Sequence, residues 1–459
     1  VADAWTELEA QRGGAAGLSY APGYRRPADA ADAADEGLLA EAREAARSAD
    51  VVLAFVGLPE PYETEGLDRP NLRLPAGHDA LVDAVAEVNP RVVVVLANGA
   101  PVEMPWADRV PAIVEGYLGG QAGGSAIARV LCGAAEPGGR LAETFPHRWE
   151  DNPVHALPIG PRVAEYRESV YVGYRYYDSA GVDVLFPFGH GLAYTTFAYA
   201  DLALSDTAVA AGEGLVVTLT VANTGWRAGW EVVQVYVHAL GATPFRPDQE
   251  LRGFAKVWLA PGESRRVDVG LEPRAFAHWD VARHGWAVEG GRFEIRVGAS
   301  SRDIRARAIV DVEGDAAVEP GAGTSPEAAA SAEAAADRLP PTASPVPAAS
   351  PAPAAYRDLT AERAFDRESF AALYGRPLPP NVVDGPGDYT LNTPLGDMQT
   401  PVGTLLVAVM RRRALAFAGG DEETPLGRMV GRTVPEMSLR MLRLMSRGAV
   451  SERTLVALL

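Results

Sequence analysis

Two apolar runs, residues 51–57 (Val-Val-Leu-Ala-Phe-Val-Gly) and 91–97 (Arg-Val-Val-Val-Val-Leu-Ala), limit what the first third of this chain can fold into. Each has the length of a strand, and neither alternates apolar with polar residues. Strands apolar on both faces are buried on both faces, which predicts a parallel sheet covered by helices. The intervening sequence supplies the helices. Residues 36–49 place Leu38, Leu39, Ala42 and Ala46 on one face, and residues 78–88 do the same with Leu81, Val82, Val85 and Val88. Residues 17–20 read as a further short strand and 112–117 as another, followed by a glycine-rich segment at 119–125 that opens a helix running to Leu131.

Beyond this region the pattern changes twice. Residues 143–200 are irregular and rich in aromatics. From 200 to 312 the period becomes two, with strands expected at 215–221, 232–237, 264–271 and 292–297 between Gly, Pro and Asn turns, the pattern of an immunoglobulin-type β-sandwich. Ala, Pro, Ser and Glu dominate 314–355, a composition that cannot offset the entropy of ordering and so reads as a flexible linker. Helical patterns return from Tyr356, especially over 428–459. The expected fold class is multidomain α/β plus all-β. An α/β sandwich with a mostly parallel sheet occupies 1–160, a connecting segment 161–200, the immunoglobulin-type β-sandwich 201–313, the linker 314–355 and a helical tail 356–459.

The chain's 459 residues carry 42 Lys+Arg against 60 Asp+Glu, a formal charge of -18, with no basic run that could follow a phosphate backbone. Nucleic acid and anionic membrane are therefore not expected partners. Cys132 is the single cysteine, so no intrachain disulfide or thiolate cluster can form, which suits a reducing compartment. No stretch approaches about 18 consecutive apolar residues, and no basic region followed by an apolar run opens the chain. These features predict a soluble, cytoplasmic protein. The chain begins on Val1 rather than Met and is expected to be a fragment or a processed product.

In parallel sheets ligands bind where loops converge at the carboxyl ends of the strands. Pro61-Tyr62-Glu63-Thr64-Glu65-Gly66-Leu67-Asp68-Arg69 leaves one such end, and Asn98-Gly99-Ala100-Pro101 leaves the next. Carboxylates beside an arginine form either a solvated hydrogen-bonded turn or a catalytic group, and placement after a buried strand favours the second. A neighbouring carboxylate or a cleft raises the pKa of a carboxylic acid towards that of a general acid, whereas an arginine lowers it. On that reading one glutamate is the acid and Arg69 is held by Asp68 to brace the loop.

Other candidates read as structure. The 119–125 segment lacks the lysine and spacing of a phosphate loop and suits close helix–sheet packing. His190, between two glycines, reads as a hydrogen-bonded structural histidine. Trp106 either lines a substrate subsite or packs after a strand end. The seven histidines show no metal-ligand spacing, and Ser125, Ser179 and Cys132 lack the context of a nucleophile.

Several stretches together carry a resemblance: Glu65-Gly66-Leu67-Asp68-Arg69, Gly139-Arg140-Leu141 with Thr144-Phe145-Pro146, Tyr171-Val172-Gly173-Tyr174-Arg175-Tyr176-Tyr177, and Phe186-Pro187-Phe188-Gly189-His190-Gly191-Leu192 with Tyr194-Thr195-Thr196-Phe197. In this order they resemble glycoside hydrolase family 3, the β-glucosidase family, over residues 15–312. Asn223-Thr224-Gly225, Gly229-Trp230-Glu231-Val232-Val233-Gln234-Val235-Tyr236 and Leu259-Ala260-Pro261-Gly262-Glu263-Ser264 are similar to its fibronectin type III-like domain.

The resemblance implies a first domain, a barrel with the nucleophilic aspartate and most sugar contacts, and a second, a six-stranded α/β sandwich that lends the acid/base glutamate. The sequence here resembles the C-terminal portion and has no counterpart of the barrel or its nucleophile. Carried over residue by residue, the acid/base falls on Glu65 first and Glu63 second. The implied complete enzyme hydrolyses a terminal β-linked glucose or related sugar with retention, without metal or organic cofactor, its barrel supplied by the same gene product or a separate chain. The alternative is a non-catalytic sugar-binding or interaction module descended from such an enzyme. For the tail, helical packing or a homodimer contact are the available roles.

Overall fold

The structure, a computed structural model, describes residues 3–25, 33–64, 68–155, 157, 160, 163–242, 246–280, 283–315, 354–359, 365–375, 377–382, 385, 388–422, 424–445, 451, 453 and 455. They divide into two compact units, one holding Val1–Cys132, Pro158–Glu165 and Pro380–Leu459, the other Gly133–Leu157 and Tyr166–Pro379.

In the first unit, β1 (Val52–Gly57), β2 (Val92–Ala97) and β3 (Ala112–Glu115) form a parallel sheet in that order, with Val52 opposite Val92 and Val93 opposite Ala112. The two apolar runs are thus its adjacent strands. Four helices accompany them: α1 (Ala4–Arg12), α2 (Glu36–Ser48), α3 (Ala76–Val88) and α4 (Gly123–Leu131). Asp35 caps α2, its Oδ1 accepting from the Gly37 and Leu38 N–H groups at 3.0 and 3.2 Å, and Leu39, Ala42 and Ala46 form the buried stripe. Asn89 locks the turn from α3 into β2. Its Nδ2 donates to the Ala46 and Ala49 carbonyls at 2.9 and 2.8 Å, and its Oδ1 accepts from the Arg91 N–H at 2.8 Å.

The described structure differs from the sequence expectation at two places here. Residues 17–20 are not a strand, because Gly17 sits at φ 78, a left-handed conformation that breaks extended backbone. Among the described residues the sheet has three strands, where the resemblance implies six. Helix α1 is an addition, capped by Asp3, whose Oδ1 accepts from the Thr6 N–H at 2.8 Å.

The tail builds a small helical core of its own. Leu395, Met398, Val430, Val434, Met437, Leu439 and Leu455 are buried together among helices Pro401–Phe417, Pro425–Glu436 and Leu439–Met445. The first two start on the same device. Thr400-Pro401-Val402-Gly403 and Thr424-Pro425-Leu426-Gly427 each place a threonine at the cap, whose Oγ1 accepts from the glycine N–H at 3.0 Å, and a proline at the first helical position.

The second unit is led by β4 (Phe145–Pro146), α5 (Tyr174–Ser179) and β5 (Val184–Phe186), then the sandwich. Strands β6 (Phe197–Leu204), β7 (Ala208–Val209), β8 (Leu215–Asn223), β9 (Gly229–Ala239), β10 (Glu250–Leu259), β11 (Ser264–Leu271), the hairpin β12 (His278–Asp280) and β13 (Gly285–Ala287), β14 (Gly291–Gly298) and β15 (Ile304–Val312) follow. The order β10-β9-β14-β15-β7 makes one sheet and β11-β8-β6 the other. Alternate residues Val217, Leu219 and Val221 of β8 face Val233, Val235, Ile295, Val297 and Val310 in a shared core. Strands β6, β7, β10, β12, β13 and β15 come in addition to the four expected. Of the linker expected at 314–355, residues 316–353 lie outside the described residues. Among the described residues, no helix is long and apolar enough to cross a membrane.

Candidate active site

The loops that leave the carboxyl ends of β1, β2 and β3 meet above the parallel sheet. Strands β1 and β2 end in close contact: a Cβ on Gly57 would lie 2.0 Å from the Ala97 carbonyl oxygen, so only glycine fits there. That carbonyl also accepts from the Leu58 N–H at 2.9 Å, which sets the direction in which the first loop departs. A turn follows, with the Tyr62 N–H donating to the Pro59 carbonyl at 2.8 Å and the Thr64 hydroxyl donating to the Glu60 carbonyl.

Glu63 is half-buried, and its Oε2 accepts from the Gly99 N–H at 2.7 Å. Glu65, with Gly66 and Leu67, lies outside the described residues. Asp68 is exposed, and half-buried Arg69 donates through Nη1 to the Pro101 carbonyl at 3.1 Å. Arg69 is thus bonded to main chain of the loop after β2.

That second loop has a buried foundation. Asn98 is 0% exposed, and its Nδ2 donates to the Ala100 carbonyl at 3.0 Å and to Glu115 Oε2 at 3.3 Å. Glu115, the last residue of β3, also accepts the Tyr117 N–H on Oε1 at 2.8 Å, which holds Tyr117 at φ 46. The 98–101 loop is marked in the sequence by its place after a strand, whereas the signal for Glu115 is only a carboxylate closing an otherwise apolar strand. Chemically, the arrangement holds one carboxylate and one guanidinium on a common main-chain base.

Trp106, just before the turn at Ala107–Arg109, is buried. Its ring is 0% exposed and Nε1 donates to Asp79 Oδ1 at 2.8 Å. A ring so enclosed has no free face for a sugar, so of the two roles open to it, burial supports packing. Among the described residues, no group of three or more His, Cys, Asp or Glu side chains could hold a metal ion.

Residues 4–194 match the Glycosyl hydrolase family 3 C-terminal domain, and residues 231–301 a Fibronectin type III-like domain. The chain is 45% identical over 317 residues to the thermostable beta-glucosidase B of Acetivibrio thermocellus, an alignment covering 69% of this chain and 42% of the relative. It is 43% identical over 303 residues to the exo-alpha-(1->6)-L-arabinopyranosidase of Bifidobacterium longum, covering 66% of this chain and 39% of that protein. The alignments thus span about two fifths of the length of these curated relatives. Among solved structures, the family 3 beta-glucosidase of Bifidobacterium adolescentis matches with a TM-score of 0.64 and 42% identity over 70% of this chain and 47% of that one. The matched domains, with the sheet and the β-sandwich described above, make this chain a member of glycoside hydrolase family 3, corresponding to the C-terminal portion of its β-glucosidase-like enzymes.

Proposed function

We propose that this chain is the C-terminal portion of a retaining β-glucosidase-type hydrolase and that its 61–69 loop supplies the acid/base carboxyl group, from Glu65. The observation that carries this reading is the placement of the loop, at the carboxyl end of β1 within the residues that match the family's C-terminal domain. Within the loop, Glu63 is engaged by the Gly99 amide, which favours Glu65 of Glu-Gly-Leu-Asp-Arg for proton transfer. A retaining mechanism needs two carboxyl groups about 5–5.5 Å apart. Glu65 would protonate the leaving oxygen while an aspartate of the barrel attacks the sugar, then deprotonate the water that releases it. The barrel comes from the same gene product or from a separate chain. A β-linked sugar is the substrate, with glucose in first place. Relatives of nearly equal identity are described as a glucosidase and an arabinopyranosidase, so the choice of sugar belongs chiefly to the barrel. A reducing, cytoplasmic setting suits Cys132, which is free and exposed.

The test is Glu65→Gln in the barrel-complete enzyme. Turnover of glucosides with poor leaving groups falls by about 10²–10⁴-fold, while dinitrophenyl glucosides, whose leaving group needs no proton, retain most of theirs. Equal loss on both, or none, would falsify the assignment. These 459 residues alone are expected to leave aryl β-glucosides intact; turnover on the order of 1–1000 per second by the pure chain would overturn that.

A further inference from the structure

We infer that Glu63 and Arg69 are positioning residues that clamp the acid/base loop, on either side of Glu65, to the loop after β2. The inference rests on the acid/base reading above and gives Glu63 a role separate from proton transfer.

Both anchors end on the same four-residue stretch. The Gly99 N–H donates to Glu63 Oε2 at 2.7 Å, a charge-assisted bond, and Arg69 Nη1 donates to the Pro101 carbonyl at 3.1 Å. Gly99 suits this role because a Cβ there would stand 2.9 Å from Glu63 Oε1, crowding the carboxylate it serves. The stretch itself cannot drift, since Asn98, wholly buried, ties it to Glu115 at the end of β3. Glu63 and Arg69, the described residues that flank 65–67 in the sequence, thus share a base built from two strand ends. A general acid misplaced by about 1 Å loses on the order of a hundredfold in rate, so a device that fixes the loop's ends acts directly on turnover.

The experiment uses the barrel-complete enzyme with Glu63→Ala, Glu63→Gln, Gly99→Ala and Arg69→Leu. Removing the acceptor in Glu63→Ala lowers kcat by about ten- to a hundredfold with little change in KM. Glu63→Gln restores most of the loss, because its amide oxygen can accept the same N–H. Gly99→Ala and Arg69→Leu reproduce the kcat loss. Hydrogen–deuterium exchange of peptides spanning Gly99 gives a readout independent of activity: protection persists in Glu63→Gln and drops in Glu63→Ala. Two outcomes overturn the proposal. In one, Glu63→Gln is as impaired as Glu63→Ala and both recover on dinitrophenyl glucosides, which makes Glu63 the proton donor. In the other, Glu63→Ala leaves kcat and the exchange at Gly99 unchanged. A parent enzyme that does not cleave glucosides, or a Glu65→Gln variant with full activity, instead defeats the acid/base reading, while exchange at Gly99 still decides whether the clamp exists.

Discussion

Arg140 Nη2 and Glu231 Oε1 meet at 3.0 Å with side chains only 8% and 3% exposed, joining the segment that opens the second unit to the start of β9. The same Oε1 accepts the Val232 N–H at 2.7 Å. Two further bonds lie alongside: Arg227 Nη2 donates to the Gly133 carbonyl at 2.7 Å, and the Trp230 N–H donates to Glu136 Oε2 at 3.2 Å.

Removing one member of a buried pair strands the other charge, at a cost of about 3–5 kcal/mol. Arg140→Leu is therefore expected to lower the unfolding free energy of the second unit, measured by urea denaturation, by that amount, and Glu231→Met by a similar one. The double substitution is expected to cost far less than the sum, because no buried charge remains. A double-mutant cycle checks this, and strict additivity would show that the pair does not couple.

Gly57→Ala tests the close approach of β1 and β2. The added methyl meets the Ala97 carbonyl at 2.0 Å unless the strand ends spread, and overpacking of this kind costs about 1–3 kcal/mol or more. Chemical denaturation of the first unit measures the loss. Spreading also displaces the root of the 61–69 loop, so the barrel-complete variant is expected to lose activity at temperatures where it remains folded.

His190 predicts a pH effect on stability. Burial pushes its imidazole below the ordinary value of about 6.5, and the Arg140 guanidinium pushes the same way; its ring stacks on Phe186 at 5.2 Å. The unfolded chain takes up a proton as pH falls through about 6.5, while the folded chain stays neutral to lower pH. Unfolding is therefore favoured progressively below that point, and the loss levels off once pH passes the folded value. Thermal melts between about pH 5 and 8 should show a shallower pH dependence in His190→Gln. The difference between the two proteins is the relevant quantity, because burial lowers His278 as well. Parallel curves would remove His190 from the account.

The parts of the fold that were legible in the sequence are those in which burial decides every position. Val92–Ala97 is apolar on both faces because the sheet is covered on both, and β8 alternates because only one face meets the core. Strands β10 and β15 are harder to read: apolar Phe254, Trp258 and Ile309 stand among their exposed positions, and a register shift between Leu251 and Gly253 interrupts the alternation of β10. At the site, family motifs pointed to the loop and its glutamates. The bonds that hold the loop were not legible, since its partners are the main-chain N–H of Gly99 and carbonyl of Pro101, groups every residue type except proline offers in full. Trp106 was undecided for a related reason: residue type does not reveal whether a ring after a strand end faces a sugar or the interior.

Trp106 can be decided by experiment. Its burial and its 2.8 Å bond to Asp79 predict that Trp106→Phe costs stability, through the lost bond to a charged group, about 1.5–3 kcal/mol, and through the space left by the smaller ring. KM for glucosides in the barrel-complete enzyme is expected to stay within about twofold, since one kcal/mol of lost sugar contact would already raise it about fivefold. Urea denaturation and steady-state kinetics on the same preparation separate the two roles. A large rise in KM with an unchanged urea midpoint would return the ring to the sugar subsite, and a shifted midpoint with an unchanged KM would assign it to packing in the interior.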